Sequence, residues 1–366
     1  MSPVLRDMRK VSLLSCYVGL SPLKFDNKQL SVSKIVVFFI TLYSLLLTFV
    51  ALVTDVFFSR RNYEGQLARL VLAPLQALSC ILIFLSSLYA FCHIKKLNRF
   101  LHDMEMVDAY LKKFNFSKSF PSNLSIPTSS LICVVISLVI KINLITDKPS
   151  YLYVTLQHIV WALIPIPIYQ LKGFLMIISS RIEEILAILR DTRSNNTLCV
   201  LTKCHCLVAR SAEQLNDAVS LMFFSIILFI FILLIGELYS LYFLSFVFKY
   251  GKMLVRITWI IYGFTIIIPL VSTCDLICKQ TQEFYQLLYR LMIHDKSDQV
   301  WGNTFMSLYT CLKKDIKFCA FGAFCIDNKL LKSISVGILT HLIILIQVSQ
   351  EIPDYPLNAH HTEVSQ

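Results

Sequence analysis

Apolar side chains crowd into seven stretches of this chain, near residues 35–57, 70–92, 128–146, 151–178, 218–247, 253–277 and 333–350, each with few charges. About 20 apolar residues wound as a helix cross the roughly 30 Å of bilayer hydrocarbon, so the pattern predicts seven membrane spans. The connections after the first, third and fifth spans are short, and those after the second, fourth and sixth are long. Behind the sixth span, QTQEFYQLLYRLMIHD sets Phe284, Leu287, Leu288, Leu291 and Met292 at helical spacing, which carries that helix on beyond the membrane. Residues 304–318 read as a short amphipathic helix. Pro165 and Pro167 predict a kink in the fourth span, with carbonyls freed from the helical ladder.

Composition agrees. The chain has 366 residues, of which 56% are hydrophobic and only 16% charged, and its mean hydropathy is +0.66. This excludes an ordinary soluble domain and defines the fold class as an all-α polytopic membrane protein. Orientation follows from Lys and Arg, which accumulate on the cytosolic side. With the N-terminus inside, roughly two dozen of them fall in cytosolic segments, while the external connections hold Arg60, Arg61, Arg69, Lys148, Lys249 and Lys252. The expectation is a cytosolic N-terminus, an extracellular C-terminus and a multi-pass location in the cell membrane. Residues 11–25 lack a sustained apolar run, so the first span serves as the insertion signal.

The net charge of +11 is then a consequence of topology and of attraction to anionic inner-leaflet lipids, with no nucleic-acid partner implied. All twelve cysteines fall in spans or cytosolic segments, so no structural disulfide is expected. The sequons at Asn115, Asn123 and Asn195 lie on the same inner side, and glycan there would contradict the threading.

No nucleophile and base, metal cluster or glycine-rich phosphate loop points to an enzyme or a cofactor. Cys199, Cys204, His205 and Cys206 have no zinc-site spacing and read as reduced thiols of a cytosolic loop. Ionisable and aromatic groups inside spans are better candidates, because burying them in lipid is costly. The outer halves of the middle spans hold Lys141, Gln157, His158, Trp161, Glu237, Tyr239, Tyr242, Arg256, Trp259 and Tyr262. All but Arg256, which can snorkel to the interface, are candidate ligand contacts. Lys141 and Glu237 can also pair simply to satisfy each other.

The last span carries THLIILIQV, five aliphatic residues closed by Gln347, whose amide accommodates up to four hydrogen bonds. By residue type alone, Gln347 caps the span, bonds a neighbouring helix or lines a pore. The stretch FCAFGAFCIDNKLLKSISVGILTHLIILIQ, residues 318–347, resembles the end of insect gustatory receptors, whose last helix carries Thr-Tyr, five hydrophobic residues and Gln-Phe. Thr340, residues 342–346 and Gln347 match that pattern, while His341 replaces Tyr and Val348 replaces Phe. Upstream, Gly322, Phe324, Ile326, Asp327, Leu330 and Leu331 match the family's Gly-x-Phe-x-Ile-Asp and the leucines behind it.

The resemblance implies a ligand-gated, non-selective cation channel, a homotetramer or a mixed assembly with other gustatory receptor subunits. Thr340, Ile343, Ile344 and Gln347 of each subunit would face a central pore. It divides the chain into a ligand-binding part (1–277), a cytosolic anchor for assembly (278–332), a pore helix (333–350) and an extracellular tail (351–366). Glu351, Asp354 and Glu363 make that tail acidic, either a cation-concentrating mouth or a solvated end. The partner is a small tastant, and Leu342, where sugar-sensing relatives often carry an acid, favours a plant secondary compound over a sugar. A G-protein-coupled receptor needs the opposite threading and lacks its triplet after the third span. A secondary transporter, with Lys141 and Glu237 as ionisable relay, is the weaker alternative.

Overall fold

The computed structural model of the chain describes residues 23–26, 29–32, 92–114, 128–144, 164–191, 194–245, 250–294 and 315–351, with single positions 42, 82, 155, 158, 161, 162 and 309. The first two predicted spans and Gln157 lie outside the described residues, apart from Leu42, Leu82 and Cys92. A short antiparallel pair near the start, β1 (Leu23–Asp26) and β2 (Gln29–Val32), is followed by helices α1 (Ile94–Lys112), α2 (Thr128–Leu144), α3 (Pro165–Asp191), α4 (Asn195–Ser245) and α5 (Tyr250–His294). A second two-stranded pair, β3 (Cys319–Ala320) and β4 (Phe324–Cys325), leads into α6 (Asn328–Glu351).

α4 and α5 are the two central helices. α5 packs against α2, α3, α4 and α6, and α4 packs against α1, α3, α5, α6 and β3. With 51 and 45 residues, they are about 77 and 68 Å long at 1.5 Å per residue, more than twice a hydrocarbon core. Each has one end made of the apolar window that suits a membrane and another that continues beyond it. α4, α5 and α6 are long and apolar enough to cross a bilayer, and α2 is a shorter apolar helix.

The extension of the sixth span is therefore found as expected, uninterrupted to His294. Two expectations change. Residues 195–217, read as a loop with spare thiols, are the first turns of α4: Leu198, Leu201, His205, Val208, Ala212 and Leu215 recur every three or four residues and are all buried. Within 304–318, Tyr309 is helical but 315–318 are not, because that end feeds a strand rather than a helix. α1 was not anticipated; it is amphipathic, burying Leu97, Phe100, Leu101, Met104, Val107 and Leu111.

The charge-rich ends of these helices form one bundle. Arg210 donates to both oxygens of Asp103 at 2.9 and 2.7 Å, tying α4 to α1. The buried Arg181 of α3 reaches Asp108 of α1 at 2.8 Å and Glu184 at 2.6 Å. Ser179 donates to Gln280 at 2.9 Å, and Arg190 pairs with Glu283. His205 stacks on Phe284 of α5, ring centroids 3.9 Å apart and planes within 4°, with Nδ1 2.6 Å from the Tyr309 hydroxyl. Burial pushes the His205 pKa down to about 3, so its ring is neutral.

Candidate functional site

Pro165 sets where the helical part of the fourth span restarts. Pro165 opens α3, a position where its missing N–H costs no helical bond, and Ile164 before it is a turn. In an unbroken helix the N–H of residue 165 would bond the carbonyl of Trp161. Proline has none, and the Tyr262 hydroxyl donates to that carbonyl instead, at 2.7 Å. The freed acceptor read from the sequence is thereby the anchor of a buried aromatic layer.

That layer gathers residues from four segments. Trp161 lies edge-on to Trp259 with ring centroids 4.1 Å apart, and Phe229 of α4 and Tyr262 of α5 are at 6.3 and 6.5 Å from it. His158 is 5.4 Å from Trp259, and its Nε2 is 3.1 Å from the Ser137 hydroxyl of α2. All of these rings are buried. Among the described residues the Trp161 indole N–H has no hydrogen-bond partner, and a buried orphan donor costs about 1–3 kcal/mol.

A charged layer sits one helical turn along. Arg256, three residues before Trp259 on α5, donates to both carboxylate oxygens of Glu237 at 3.2 and 3.1 Å. Lys141, four residues after Ser137 on α2, lies within electrostatic reach of both. Glu237 is 1% exposed, so its pairing meets the requirement that a buried charge be compensated. Tyr239 is buried and Tyr242 partly buried farther along α4. Of the nine predicted ligand contacts, His158, Trp161, Trp259 and Tyr262 thus share the aromatic layer, and Lys141 and Glu237 share the charged one. Ser137 and Phe229 were missed. Their signal is helical spacing, four residues before Lys141 and eight before Glu237.

α6 packs on α4: a Cβ added at Gly337 would meet the Phe231 ring at 3.2 Å, and Ile338 is buried. His341 crosses the Phe231 ring edge-on at 5.5 Å, with its Nδ1 2.8 Å from the Gly337 carbonyl. The His for Tyr departure therefore falls on this packed seam. Thr340, Ile343, Ile344 and Gln347 are all exposed. Thr340 donates to the Val336 carbonyl at 3.0 Å.

The motif before α6 has a physical reading. Phe321 and Gly322 both take positive φ, 49° and 70°, and Ala323 N–H donates to the Ala320 carbonyl at 2.9 Å. This is a type I′ turn, which needs left-handed backbone at both central positions and so favours glycine. Phe324 contacts Phe224 of α4 with centroids 6.2 Å apart, and Ile326 is buried. Asp327 caps α6, its Oδ1 accepting from Leu330 N–H at 3.0 Å. Asn328 donates to Asp275 of α5 at 2.7 Å, fixing the start of α6 to the central helix.

Comparison with known proteins agrees with this architecture. The family model described as 7tm Chemosensory receptor matches residues 10–352. Gustatory receptor 68a of Drosophila melanogaster is 34% identical over 92 residues, a stretch that spans 25% of this chain and 23% of that receptor. The solved structure of the insect olfactory receptor OR5 from Machilis hrabei has the same fold, with a TM-score of 0.65 at 14% identity, over 93% of this chain and 97% of that one. The same receptor in complex with eugenol gives 0.55 at 15% identity over the same shares. A family pattern that runs through nearly the whole sequence, on helices that repeat the fold of a solved insect receptor, establishes that the chain belongs to the 7tm chemosensory receptor family.

Proposed function

We propose that this protein is a gustatory chemoreceptor working as a ligand-gated, non-selective cation channel in the plasma membrane of a sensory neuron. It assembles as a homotetramer, or with other gustatory receptor subunits, around an axis lined by α6, with the N-terminus cytosolic and the C-terminus outside. The observation that carries this reading is the exposure of α6. Among the described residues the helix packs on α4 and α5 and leaves most of its length uncovered, and its polar Thr340 and Gln347 are exposed with Ile343 and Ile344. Lipid suits the isoleucines but offers Gln347 nothing to bond. Four copies around an axis give the amide water and its counterparts, above an aliphatic constriction that gates by dewetting.

The ligand is a small extracellular tastant received by the aromatic layer. Its rings favour a flat, largely apolar molecule, and the orphan Trp161 N–H calls for one hydrogen-bond acceptor on it. Such a compound is closer to a plant phenolic or alkaloid than to a sugar, in line with Leu342 in place of an acid. Olfactory receptor OR5 was solved with eugenol, a molecule of that kind. The test is ligand-evoked current from the protein expressed alone. Fast cation current to plant aromatics without added G protein supports the reading, whereas a response that requires G protein defeats it.

A further inference from the structure

The β3–β4 hairpin holds two thiols face to face. Cys319 and Cys325 are cross-strand partners, and their Sγ atoms are 3.4 Å apart. The neighbouring pair is hydrogen-bonded, Ile326 N–H donating to the Phe318 carbonyl at 2.8 Å. Cys319 and Cys325 therefore occupy a non-hydrogen-bonded pair, where Cα atoms are about 4.5 Å apart, inside the disulfide range. Closing the sulfurs to a bond of about 2.05 Å needs about 1.4 Å of approach.

The strands are already held where that closure would occur. Cys319 N–H donates to Asn216 of α4 at 2.9 Å, and Cys278 of α5 donates to the Ile316 carbonyl at 3.1 Å. Both thiols are free, with Cys325 exposed and Cys319 partly buried.

We propose that Cys319 and Cys325 are a reversible redox pair, a modification site that closes to a disulfide when hydrogen peroxide reaches the hairpin. Cys325, the exposed sulfur, attacks the peroxide; the O–O bond breaks, a sulfenic acid forms and the departing oxygen leaves as water with the thiol proton. Cys319 then attacks the Cys325 sulfur, the S–O bond breaks, and the hydroxide takes the Cys319 proton to leave as a second water. Two thiols lose two electrons and one peroxide gains them. Burial and the adjacent Cys325 push the Cys319 thiol up to about 11, against the pull of Lys317, which suits it to resolve rather than to initiate. A thiol reductant reopens the bond by exchange. On a cytosolic face the resting pair stays reduced, so the bond reports oxidant rather than stapling the fold. It would stiffen the hairpin two residues before the Asp327 cap and thereby the base of α6.

The full-length receptor in detergent is titrated with hydrogen peroxide, alkylated with N-ethylmaleimide and cleaved with trypsin, which releases residues 318–329 with both cysteines. The expected product is lighter by two hydrogens, has lost both alkylation sites, and regains them after dithiothreitol. Cys325→Ser or Cys325→Ala should leave Cys319 alkylatable. Full alkylation of both cysteines across the titration, oxidation to sulfinate without the linked product, or linkage of either to Cys278 would overturn the proposal. The readout is a mass and does not depend on channel activity.

Discussion

Pro165, Trp161 and Tyr262 form one device. The proline withdraws a donor from the Trp161 carbonyl, and the tyrosine supplies one from another helix, so the break in the fourth span is also a link to α5. Tyr262→Phe should cost about 1–3 kcal/mol by orphaning the carbonyl. In a Pro165→Ala background the restored N–H competes for the same acceptor, and the tyrosine change should cost much less. Unfolding of the four detergent-solubilised variants measures that coupling; equal costs in both backgrounds would refute the arrangement. Trp161→Phe tests recognition. It removes the orphan donor but also ring volume, so stability should fall by about 1–3 kcal/mol, while the ligand concentration for half-maximal response rises about 5–30-fold if the ligand's acceptor loses its donor, equivalent to about 1–2 kcal/mol.

Among elements, the charge-rich bundle of α1, α3, α4 and α5 is the part least evident beforehand, although its spacing is plain once the helices are known. A membrane span announces itself by an unbroken apolar run. The first turns of α4 bury a stripe through Leu198, Leu201, His205, Val208, Ala212 and Leu215 and expose Asn196, Lys203, Arg210 and Asp217 on the other side, and such a mixed composition looks like a loop unless the period is counted. The aromatic layer was half legible for a similar reason: Trp161, Trp259 and Tyr262 stand out as single residues, whereas their meeting depends on helix contacts that the linear chain does not state. His205 gives this bundle a measurable signature. Its folded pKa lies below the value of about 6.5 in an unfolded chain, so the unfolded state binds more protons between those values and stability falls as pH drops through that window. At pH 5.5 the loss from this group is about 1 kcal/mol relative to pH 7.5. Thermal unfolding at the two pH values should show a smaller difference for His205→Phe, which keeps a ring against Phe284, than for the wild type. An unchanged difference would assign the pH dependence to other groups.

At the scale of the whole molecule, the question is what surrounds α6. Among the described residues α6 is the apolar helix with the smallest buried share, and if the proposed threading sets Gln347 within the hydrocarbon, an all-lipid surround leaves its amide with no donor or acceptor. The hairpin and the Asp327 cap fix where α6 begins, and Asn328 ties that start to Asp275 of α5. Gly337 and Gln347 should respond differently to substitution. Gly337→Leu drives a side chain into Phe231, where even a Cβ is held to 3.2 Å, so it should reduce folded protein and surface expression. Gln347→Ala changes an exposed side chain and should leave surface expression near wild type while changing ion selectivity or the ligand dependence of opening. Surface labelling and current recording on the same cells distinguish the cases. If Gln347→Ala lost expression in step with current, the amide would be a structural bond to a neighbouring helix, and the pore would have to be sought on another face of α6.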